Sequence, residues 1–346
     1  MRIQPDIARS LMVSLLAGCL LSGLAASAWS ATFVTFDVPG NLPTEPSAIN
    51  ANGDVTGQYV DAGGNGHGFL RTSNGTITTF DAPGAILATF GRSIDTNDDI
   101  AGFCLDTSGH YHGFLRFSNG AFALFDAPGA TNTVPYSIND AGVIAGYFND
   151  ASGLIHGFIR AANGTMTRID APGANQTIVL SMNATGDVIG YHLVTTAFFQ
   201  GYIRSSSGTF TTFDVASSPL QMAHPETVPL GINSGGAVAG WATNNAGQTV
   251  RSFERDSSGN ITKFDMPLNR DTLAQSINAT GQIAGFFSDS KQAVHGFVRA
   301  ANGTIASFDV PSATGTHGLA INDAGQITGF YNDTVGSGVH GYVRLP

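Results

Sequence analysis

The dipeptide Phe-Asp recurs along most of the chain at an almost constant interval. Its copies, one of which has Ile in place of Phe, begin at Phe36, Phe80, Phe125, Ile169, Phe213, Phe264 and Phe308. The successive intervals are 44, 45, 44, 44, 51 and 44 residues. Self-similarity at a fixed period is typical of proteins that repeat one supersecondary unit. The sequence therefore predicts one fold built from seven related units, with no linker or second domain between them.

Each repeat contains four short apolar segments that turn residues separate. In the third copy these segments are 137–139, 143–147, 156–160 and 165–170. Links of the type Asp-x-Gly and Asn-Gly supply the positive φ that tight hairpins need. The unit is therefore predicted to be a four-stranded antiparallel meander. Asp-Ala-Pro-Gly ends its fourth strand, because proline cannot donate a hydrogen bond to a sheet.

The period and the strand count together predict the fold class. About 44 residues with four strands match a β-propeller blade, whereas the coils of solenoid proteins are usually shorter. The last copy lacks the segment for a fourth strand. Residues 33–37 match that segment, but the first three segments of a repeat do not precede them. We therefore predict an all-β, seven-bladed β-propeller over residues 32–346, with four antiparallel strands per blade. In this prediction the strand at residues 33–37 completes the last blade and closes the ring, which removes free sheet edges.

The composition agrees with such a fold and excludes some functions. Hydrophobic residues make up 42% of the chain and 23 residues are Phe, which is too apolar for a disordered protein. The formal net charge is −10, and the 15 Lys and Arg residues form no basic run. No nucleic-acid partner is therefore expected. We also expect the protein to be a monomer.

The N-terminal residues have the pattern of an export signal. Arg2 and Arg9 precede an apolar run, and the small residues Ala26-Ser27-Ala28 follow it. We predict a signal peptide at residues 1–28, with cleavage after Ala28 or as late as residue 31. No stop-transfer pattern follows, so no transmembrane span is expected and the protein is predicted to be secreted or periplasmic.

The two cysteines raise separate questions. Leu16-Ala17-Gly18-Cys19 resembles a bacterial lipobox, so a lipid anchor on Cys19 is the alternative to ordinary cleavage. Cys104 is then the one cysteine left, and it cannot close an intramolecular disulfide. We predict that Cys104 is a small buried strand residue, and a nucleophile is the alternative.

Short motifs in the repeat resemble those of a known family. His67-Gly-Phe69, His112-Gly-Phe114 and His295-Gly-Phe297 accompany the pattern Ser-Ile-Asn-x-x-Gly-x-Ile-x-Gly. Together with the period, they resemble the bacterial extracellular repeats of the HAF family, named for His-Ala-Phe, with Gly here in place of Ala. The resemblance covers nearly all of the chain after residue 31. It implies an exported repeat protein of unassigned biochemistry, with no catalytic residues to carry over.

Histidine and aspartate recur at fixed positions of the repeat, on adjoining strands. The residues concerned are His67, His112, His156, His295, His340, Asp81, Asp126, Asp170 and Asp309. A His–Asp pair could belong to a catalytic triad, but a catalytic group is needed once and this pair recurs. We therefore predict a structural role, in which a half-buried polar group is hydrogen-bonded within its blade.

An arginine also recurs in every copy, at Arg71, Arg116, Arg160, Arg204, Arg255, Arg299 and Arg344. This recurrence favours a role in tying neighbouring strands or blades to carboxylates. A solvated rim is the alternative.

One turn has the alternating oxygen ligands of a calcium loop. Asp95, Asn97 and Asp99 lie at every second position, a spacing used by Ca²⁺ sites. Other copies have a plain hairpin here, and the bidentate Glu of a full EF-hand loop is missing. We expect no cofactor, with calcium at these three residues as the alternative.

Unrepeated residues on variable loops are the candidates for a ligand site. In a propeller, the loops between second and third strands lie on the same face as the connections between blades, and here both sets vary. The longest connection, 216–230, contains His224 and Glu226, with a tolerated surface insertion as the alternative explanation. With Asp271 and His317, they form the predicted site at the mouth of the channel.

Two functions from different classes fit these observations. The first is an exported, non-enzymatic binding or scaffold module for an extracellular glycan, peptide or protein, because every recurrent polar residue has a structural explanation. The second is an extracellular lyase or hydrolase with a site at the channel mouth. Clustering of the four unrepeated residues would favour the enzyme, and scatter would favour the binding module.

Overall fold

All regular structure in the described part of the chain is β-strand. The computed structural model describes residues 31–40, 43–85, 87–195, 198–215, 226–243, 250–266, 271–333 and 338–346. The chain divides into Met1–Ser30, which lies outside these ranges, and Ala31–Pro346. Within the described ranges, no helix has the length and apolar character needed to cross a bilayer.

The strands form recurring groups of four, and we name them by their place in the group. First strands are β2 (Thr44–Ile49), β6 (Ala88–Ile94), β10 (Ala130–Ile138), β14 (Gln176–Met182), β18 (Thr227–Ile232), β22 (Asp271–Ile277) and β26 (Gly315–Ile321). Second strands are β3 (Val55–Val60), β7 (Ile100–Leu105), β11 (Ile144–Asp150), β15 (Val188–Thr195), β19 (Val238–Thr243), β23 (Ile283–Ser288) and β27 (Ile327–Asn332). Third strands are β4 (Gly66–Arg71), β8 (Tyr111–Arg116), β12 (Ile155–Arg160), β16 (Phe198–Arg204), β20 (Val250–Arg255), β24 (Val294–Arg299) and β28 (Val339–Arg344). Fourth strands are β1 (Phe33–Phe36), β5 (Ile77–Phe80), β9 (Phe122–Phe125), β13 (Met166–Ile169), β17 (Phe210–Phe213), β21 (Ile261–Phe264) and β25 (Ile305–Phe308).

Each group is an antiparallel meander, as the turn residues predict. In the group β10–β13, each strand pairs with the next, from Ile138 opposite Ile144 to Arg160 opposite Met166. The last hairpin turns at Gly164, whose φ of 89° is a left-handed value that side chains disfavour. The Asn-Gly pairs of the repeat therefore set the hairpins.

The phenylalanine of each Phe-Asp packs across to a third-strand ring in the next group. Phe80 lies 6.2 Å from Phe114, and Phe264 lies 6.1 Å from Phe297, measured between ring centroids. The third-strand rings are completely buried, with 0% exposure for Phe69, Phe114, Phe253 and Phe297. Edge-on aromatic pairs of this kind add stability beyond the apolar area that they bury. The repeated dipeptide thus builds the core between neighbouring groups.

The recurrent arginines also join neighbouring groups, but mainly through rings rather than through carboxylates as we predicted. Six of them hold the guanidinium carbon 4.7 to 5.4 Å from the ring of the preceding group's Phe-Asp. Arg204 instead faces its own group's Phe210, because the preceding group has Ile169. Only Arg299 also reaches an acid across the described groups, with Nη1 donating to Glu254 Oε2 over 2.7 Å. A cation over an aromatic face is stabilising even where water reaches it.

The strand nearest the N-terminus pairs with the strand nearest the C-terminus. β1 lies antiparallel to β28, with Phe33 opposite Arg344 and Phe36 opposite Gly341. Immediately after the first strands β26 and β2, Asn322 Nδ2 donates to the Asn50 carbonyl over 2.9 Å. The same amide-to-carbonyl bond joins consecutive groups elsewhere, as from Asn278 to Asn322.

Candidate functional site

A cavity of about 490 Å³ lies where the first strands of all the groups converge. Each first strand contributes one prominent lining residue: Ser47, Arg92, Tyr136, Leu180, Leu230, Gln275 and Leu319. Volumes of this size are typical of small-molecule sites.

A β-bulge in every first strand places these residues. In β6 the pairing register skips from Gly91 to Ser93, so that Arg92 is the extra residue. The same shift leaves Tyr136 extra in β10 and Gln275 extra in β22. Because the extra residue has no partner opposite it, a bulge can turn its side chain away from the regular face of the sheet. Here the bulged residues line the cavity.

Small residues after the bulges hold the cavity wall together. Ser93 Oγ accepts the Ile138 N–H over 3.2 Å, and Ser137 Oγ accepts the Met182 N–H over 3.2 Å. A hydroxyl that accepts a backbone N–H keeps its own hydrogen for another partner. These hydrogen bonds therefore join neighbouring groups along the wall, and the two serine hydroxyls can still donate a hydrogen bond.

The lining is polar on one side and apolar on the other. Glu45, Gln58, Arg92 and Tyr136 come from β2, β3, β6 and β10, whereas the leucines come from β14, β18 and β26. Among the described residues that line the cavity, Arg92 is the one cation and Glu45 the one anion. The cavity can thus hold a ligand that has both an apolar face and polar groups.

Arg92 and Glu45 are held differently. The Arg92 guanidinium carbon lies 4.7 Å from the centre of the Tyr136 ring, and its Nε is buried without a hydrogen-bond partner in the described structure. Glu45 Oε2 accepts a hydrogen bond from Gln58 Nε2 over 2.8 Å. The ring fixes the direction of the guanidinium and leaves its N–H groups for another acceptor.

Tyrosines from the second strands adjoin this polar side. The Tyr147 ring lies 5.8 Å from the Tyr136 ring. Burial, and the neighbouring phenols of Tyr136 and Tyr191, raise the pKa of Tyr147 to about 12. Its hydroxyl is therefore protonated over the physiological range and remains able to donate a hydrogen bond.

Two of the unrepeated candidate residues, Glu226 and Asp271, have separate hydrogen-bond partners in the described structure. The Glu226 N–H donates to Thr243 Oγ1 over 3.1 Å, and the charge of Glu226 contributes to the raised pKa of Tyr191, which burial mainly causes. Asp271 Oδ1 accepts the Val250 N–H over 2.9 Å. Glu226 and Asp271 come from different groups and neither lines the cavity.

His317, another candidate, is stacked in the wall beside the cavity. Its ring lies 4.3 Å from the Phe330 ring, nearly parallel to it, and burial lowers the pKa of the imidazole. His224 lies outside the described residues.

The candidate calcium residues form a hairpin turn. Asp95 Oδ1 accepts the N–H groups of Asn97 and Asp99 over 2.8 and 2.9 Å, and Asp99 Oδ1 accepts the Ser118 N–H over 2.8 Å. Burial raises the pKa of Asp95. In the described ranges no three His, Cys, Asp or Glu side chains are grouped in a way that could hold a metal ion.

Each recurrent histidine lies between two carboxylates. Nδ1 is 2.7 to 2.9 Å from the aspartate after the fourth strand, which is Asp81 for His67 and Asp37 for His340. Nε2 is 3.2 to 3.8 Å from a second aspartate that the sequence analysis missed. The second aspartates are Asp61, Asp106, Asp150, Asp289 and Asp333. Where His is absent, Gln200 Nε2 donates to Asp214 over 2.7 Å and Arg251 pairs with Asp265.

Cys104 is a buried strand residue, as predicted. It is 2% exposed, and burial raises the pKa of its thiol to about 11. A thiol that stays protonated at neutral pH is a poor nucleophile.

The residues of the cavity were missed because the sequence analysis followed what repeats. The signal that could have found them is the position before Ser-Ile-Asn and its variants Ser-Ile-Asp and Ser-Met-Asn, which holds Arg92, Tyr136 and Leu180 in consecutive copies. Where the residue type at one position varies between copies while the rest of the strand stays constant, packing in the core does not fix that side chain.

Comparison with known proteins places the fold. No protein-family model matches the chain, and no curated protein matches it. A streptogramin B lyase structure is 16% identical with a TM-score of 0.58, covering 93% of this chain and 100% of its own. A catalytically inactive virginiamycin B lyase from Staphylococcus aureus, solved with quinupristin, is 14% identical with a TM-score of 0.58, covering 91% and 100%. The BP39L lectin from Burkholderia pseudomallei is 11% identical with a TM-score of 0.51, covering 90% and 95%.

These neighbours are β-propeller proteins, and at such identities the likeness shows the fold alone. The chain is a β-propeller that contains many four-stranded antiparallel sheets. Three groups are separate sheets, and the others are joined in pairs into two eight-stranded sheets by single parallel contacts, Gly66 with Ala88 and Val294 with Gly315. The resemblance to the HAF family stays a prediction.

Proposed function

We propose that this protein is an exported, monomeric, seven-bladed propeller that acts as a non-enzymatic binding module, with a glycan as its ligand. The cavity lined by the bulged residues carries this proposal. It combines a phenol, a guanidinium, a carboxylate and the Gln58 amide on one side with leucines and the Gln275 amide on the other. Sites for small molecules typically join a mostly apolar surface to a few well-placed polar groups.

The seven-bladed ring is supported by the pairing of the end strands. β1 gives β28 a fourth-strand partner in the same register that β5 gives β4, with Phe36 opposite Gly341 as Phe80 is opposite Gly68. The bond from Asn322 to Asn50 repeats the bond between consecutive groups. Both observations are what a closed ring of seven blades requires.

Export rests on the sequence of residues 1–28 alone, which lie outside the described structure. Mass spectrometry of the protein recovered from its native host tests this proposal. An N-terminus after Ala28, or as late as residue 31, is expected; a lipid-modified Cys19 would show an anchored protein, and an intact Met1 would contradict export.

The proposed function is tested by glycan-array screening and calorimetry of the purified protein, with mass spectrometry of each bound ligand after long incubation. Binding without any new product is expected. Tyr136→Ala should weaken binding about tenfold or more, because central aromatic contacts carry much of the free energy of binding. Phe117→Ala is the matched control, since Phe117 is 37% exposed and does not line the cavity.

Two results would overturn the proposal. Conversion of the ligand, abolished by a change at the cavity, would instead establish the lyase or hydrolase. Equal binding by Tyr136→Ala and the unaltered protein, with both folded by thermal melting, would remove the cavity as the site.

A further inference from the structure

We propose that the ligand of this cavity is an acidic sugar and that Arg92 binds its carboxylate. This inference rests on the proposed function and adds the charge of the ligand to it. It follows from what surrounds Arg92, from the charges that line the cavity, and from the neutral groups beside them.

Arg92 differs from the recurrent arginines in its position, because it lines the cavity and none of them does. Arg71 donates from Nη1 to the Thr72 carbonyl over 3.3 Å, and Arg299 donates to Glu254. Arg92 shares with Arg71 and Arg116 a buried Nε that has no partner in the described structure, but of these only Arg92 lies where a ligand in the cavity could meet its guanidinium. A buried donor without a partner is costly, and a guanidinium presents its donors in a fixed planar fork. The arrangement therefore suits an acceptor that comes from outside the chain.

The nature of that acceptor follows from the shape and charge of the fork. A planar carboxylate matches it with two parallel N–H···O bonds, which are among the stronger hydrogen bonds in proteins. The protein carries a formal net charge of −10, yet Arg92 is the one cation among the described residues that line the cavity. Its charge has no ion pair in the described structure, so a bound anion would neutralise it.

The rest of the lining favours a ligand rich in hydroxyl groups. Glu45 uses Oε2 to accept from Gln58, and Oε1 has no hydrogen bond in the described structure. The hydroxyls of Ser93 and Ser137 and the amide of Gln275 add neutral donors and acceptors. Sugar hydroxyls both donate and accept, so they can bond to all of these groups. Leu180 and Leu230 on the facing wall can cover the apolar face of a sugar ring.

The test is isothermal titration calorimetry of the purified protein with four probes. D-Glucuronate is the acidic sugar, and D-glucose is its neutral match. Inorganic phosphate tests for a simple anion, and glutamate tests for a carboxylate that carries an ammonium group. Each is titrated into the unaltered protein, Arg92→Gln, and the control Arg168→Gln, whose side chain is 54% exposed and pairs with Asp170 away from the cavity.

We expect glucuronate to bind more tightly than glucose by about tenfold or more, since hydrogen bonds between charged groups are stronger than those between neutral groups. Arg92→Gln should abolish this preference, so that glucuronate and glucose bind with equal affinity, and Arg168→Gln should keep the preference of the unaltered protein. Thermal melting of each variant confirms that it is folded.

Each of the other outcomes overturns one stated part of the proposal. Equal affinity for glucose and glucuronate would remove the assignment of Arg92 and leave the binding module standing. A preference for phosphate or glutamate over glucuronate would show that Arg92 binds a different class of anion and would overturn the acidic sugar as the ligand. No binding of any sugar here or on the glycan array would overturn the proposed function itself.

Discussion

The histidine between two carboxylates is the most repeated polar feature at the scale of single residues. In the first group, burial of His67 opposes its protonation, but hydrogen bonds to Asp81 and Asp61 outweigh this and raise the pKa of the imidazole. Hydrogen bonds from Asn65, and then from His67, hold the pKa of Asp61 below its usual range. Since each carboxylate accepts from one ring nitrogen, the charged form of the histidine is the form that satisfies both.

The sign of each shift gives a pH window for stability. A raised histidine pKa stabilises the fold below the ordinary histidine pKa, and this contribution is lost as the pH rises through the raised value. A lowered aspartate pKa stabilises it above the ordinary aspartate pKa, and this contribution is lost as the pH falls. Both contributions are complete only between about pH 4 and pH 6.5, the ordinary pKa values of the two groups.

We therefore predict that His67→Gln lowers the melting temperature most within that window and less at pH 8 and above. Glutamine is the natural residue at the equivalent Gln200, where it bonds to Asp214. Differential scanning calorimetry across pH 4 to pH 9 measures the effect, and His110→Gln on an exposed turn is the control. A loss of the same size at every pH would show that the histidine acts through packing alone.

Second-strand glycines matter at the scale of the element, because they let the bulged first strand come close. A Cβ added to Gly146 would overlap the Val134 carbonyl oxygen and approach Pro135 Cα at 2.8 Å. By contrast, a Cβ on Gly315 would have its nearest contact at 3.7 Å, an ordinary distance. Both are strand glycines, and neither has a positive φ.

Gly146→Ala should thus lower the free energy of unfolding by about 1–3 kcal/mol, the usual effect of forcing a group into a packed sheet. Gly315→Ala should change it by no more than about 0.5 kcal/mol. Urea unfolding followed by tryptophan fluorescence measures both. Equal effects would mean that the close approach of the two strands is not what requires glycine.

At the scale of the whole molecule, the question is whether β1 closes the ring of blades. Phe36 packs 6.0 Å from Phe69 in the neighbouring group, and β1 covers the edge of β28. A chain that begins at Val38 loses both contacts, whereas a chain that begins at Ala31 keeps them. An uncovered sheet edge is also a site for association between molecules.

We predict that the chain beginning at Val38 melts at least ~10 °C below the chain beginning at Ala31, since the lost core contacts are worth several kcal/mol. Size-exclusion chromatography should show the shorter chain as oligomers and the longer one as a monomer. Equal melting temperatures and equal sizes would argue against a ring closed by β1.

The sequence was sufficient to predict the four-stranded units but not the residues that line the cavity. Period, turn residues and alternating apolar positions act locally, so the four-stranded units could be read from them. The partners of the arginines could not, because stacking on Phe80 or Phe264 depends on how one group packs against the next. Arg92 was missed for a different reason. A one-residue bulge reverses which side of a strand a residue faces, and no residue type marks the bulge.

That bulge also separates the side chains that line the cavity from those that keep the protein folded. The bulged side chains line the cavity, whereas the neighbouring Ser93 and Ser137 accept the backbone hydrogen bonds that hold the wall. Exchanging Leu180 or Gln275 for another residue therefore alters the lining at little expense to the scaffold. Because the unit repeats, the chain has equivalent positions around one cavity, one in each first strand. Single substitutions at these positions would change the lining, and a library randomised only there would sample new cavity surfaces on an unchanged fold.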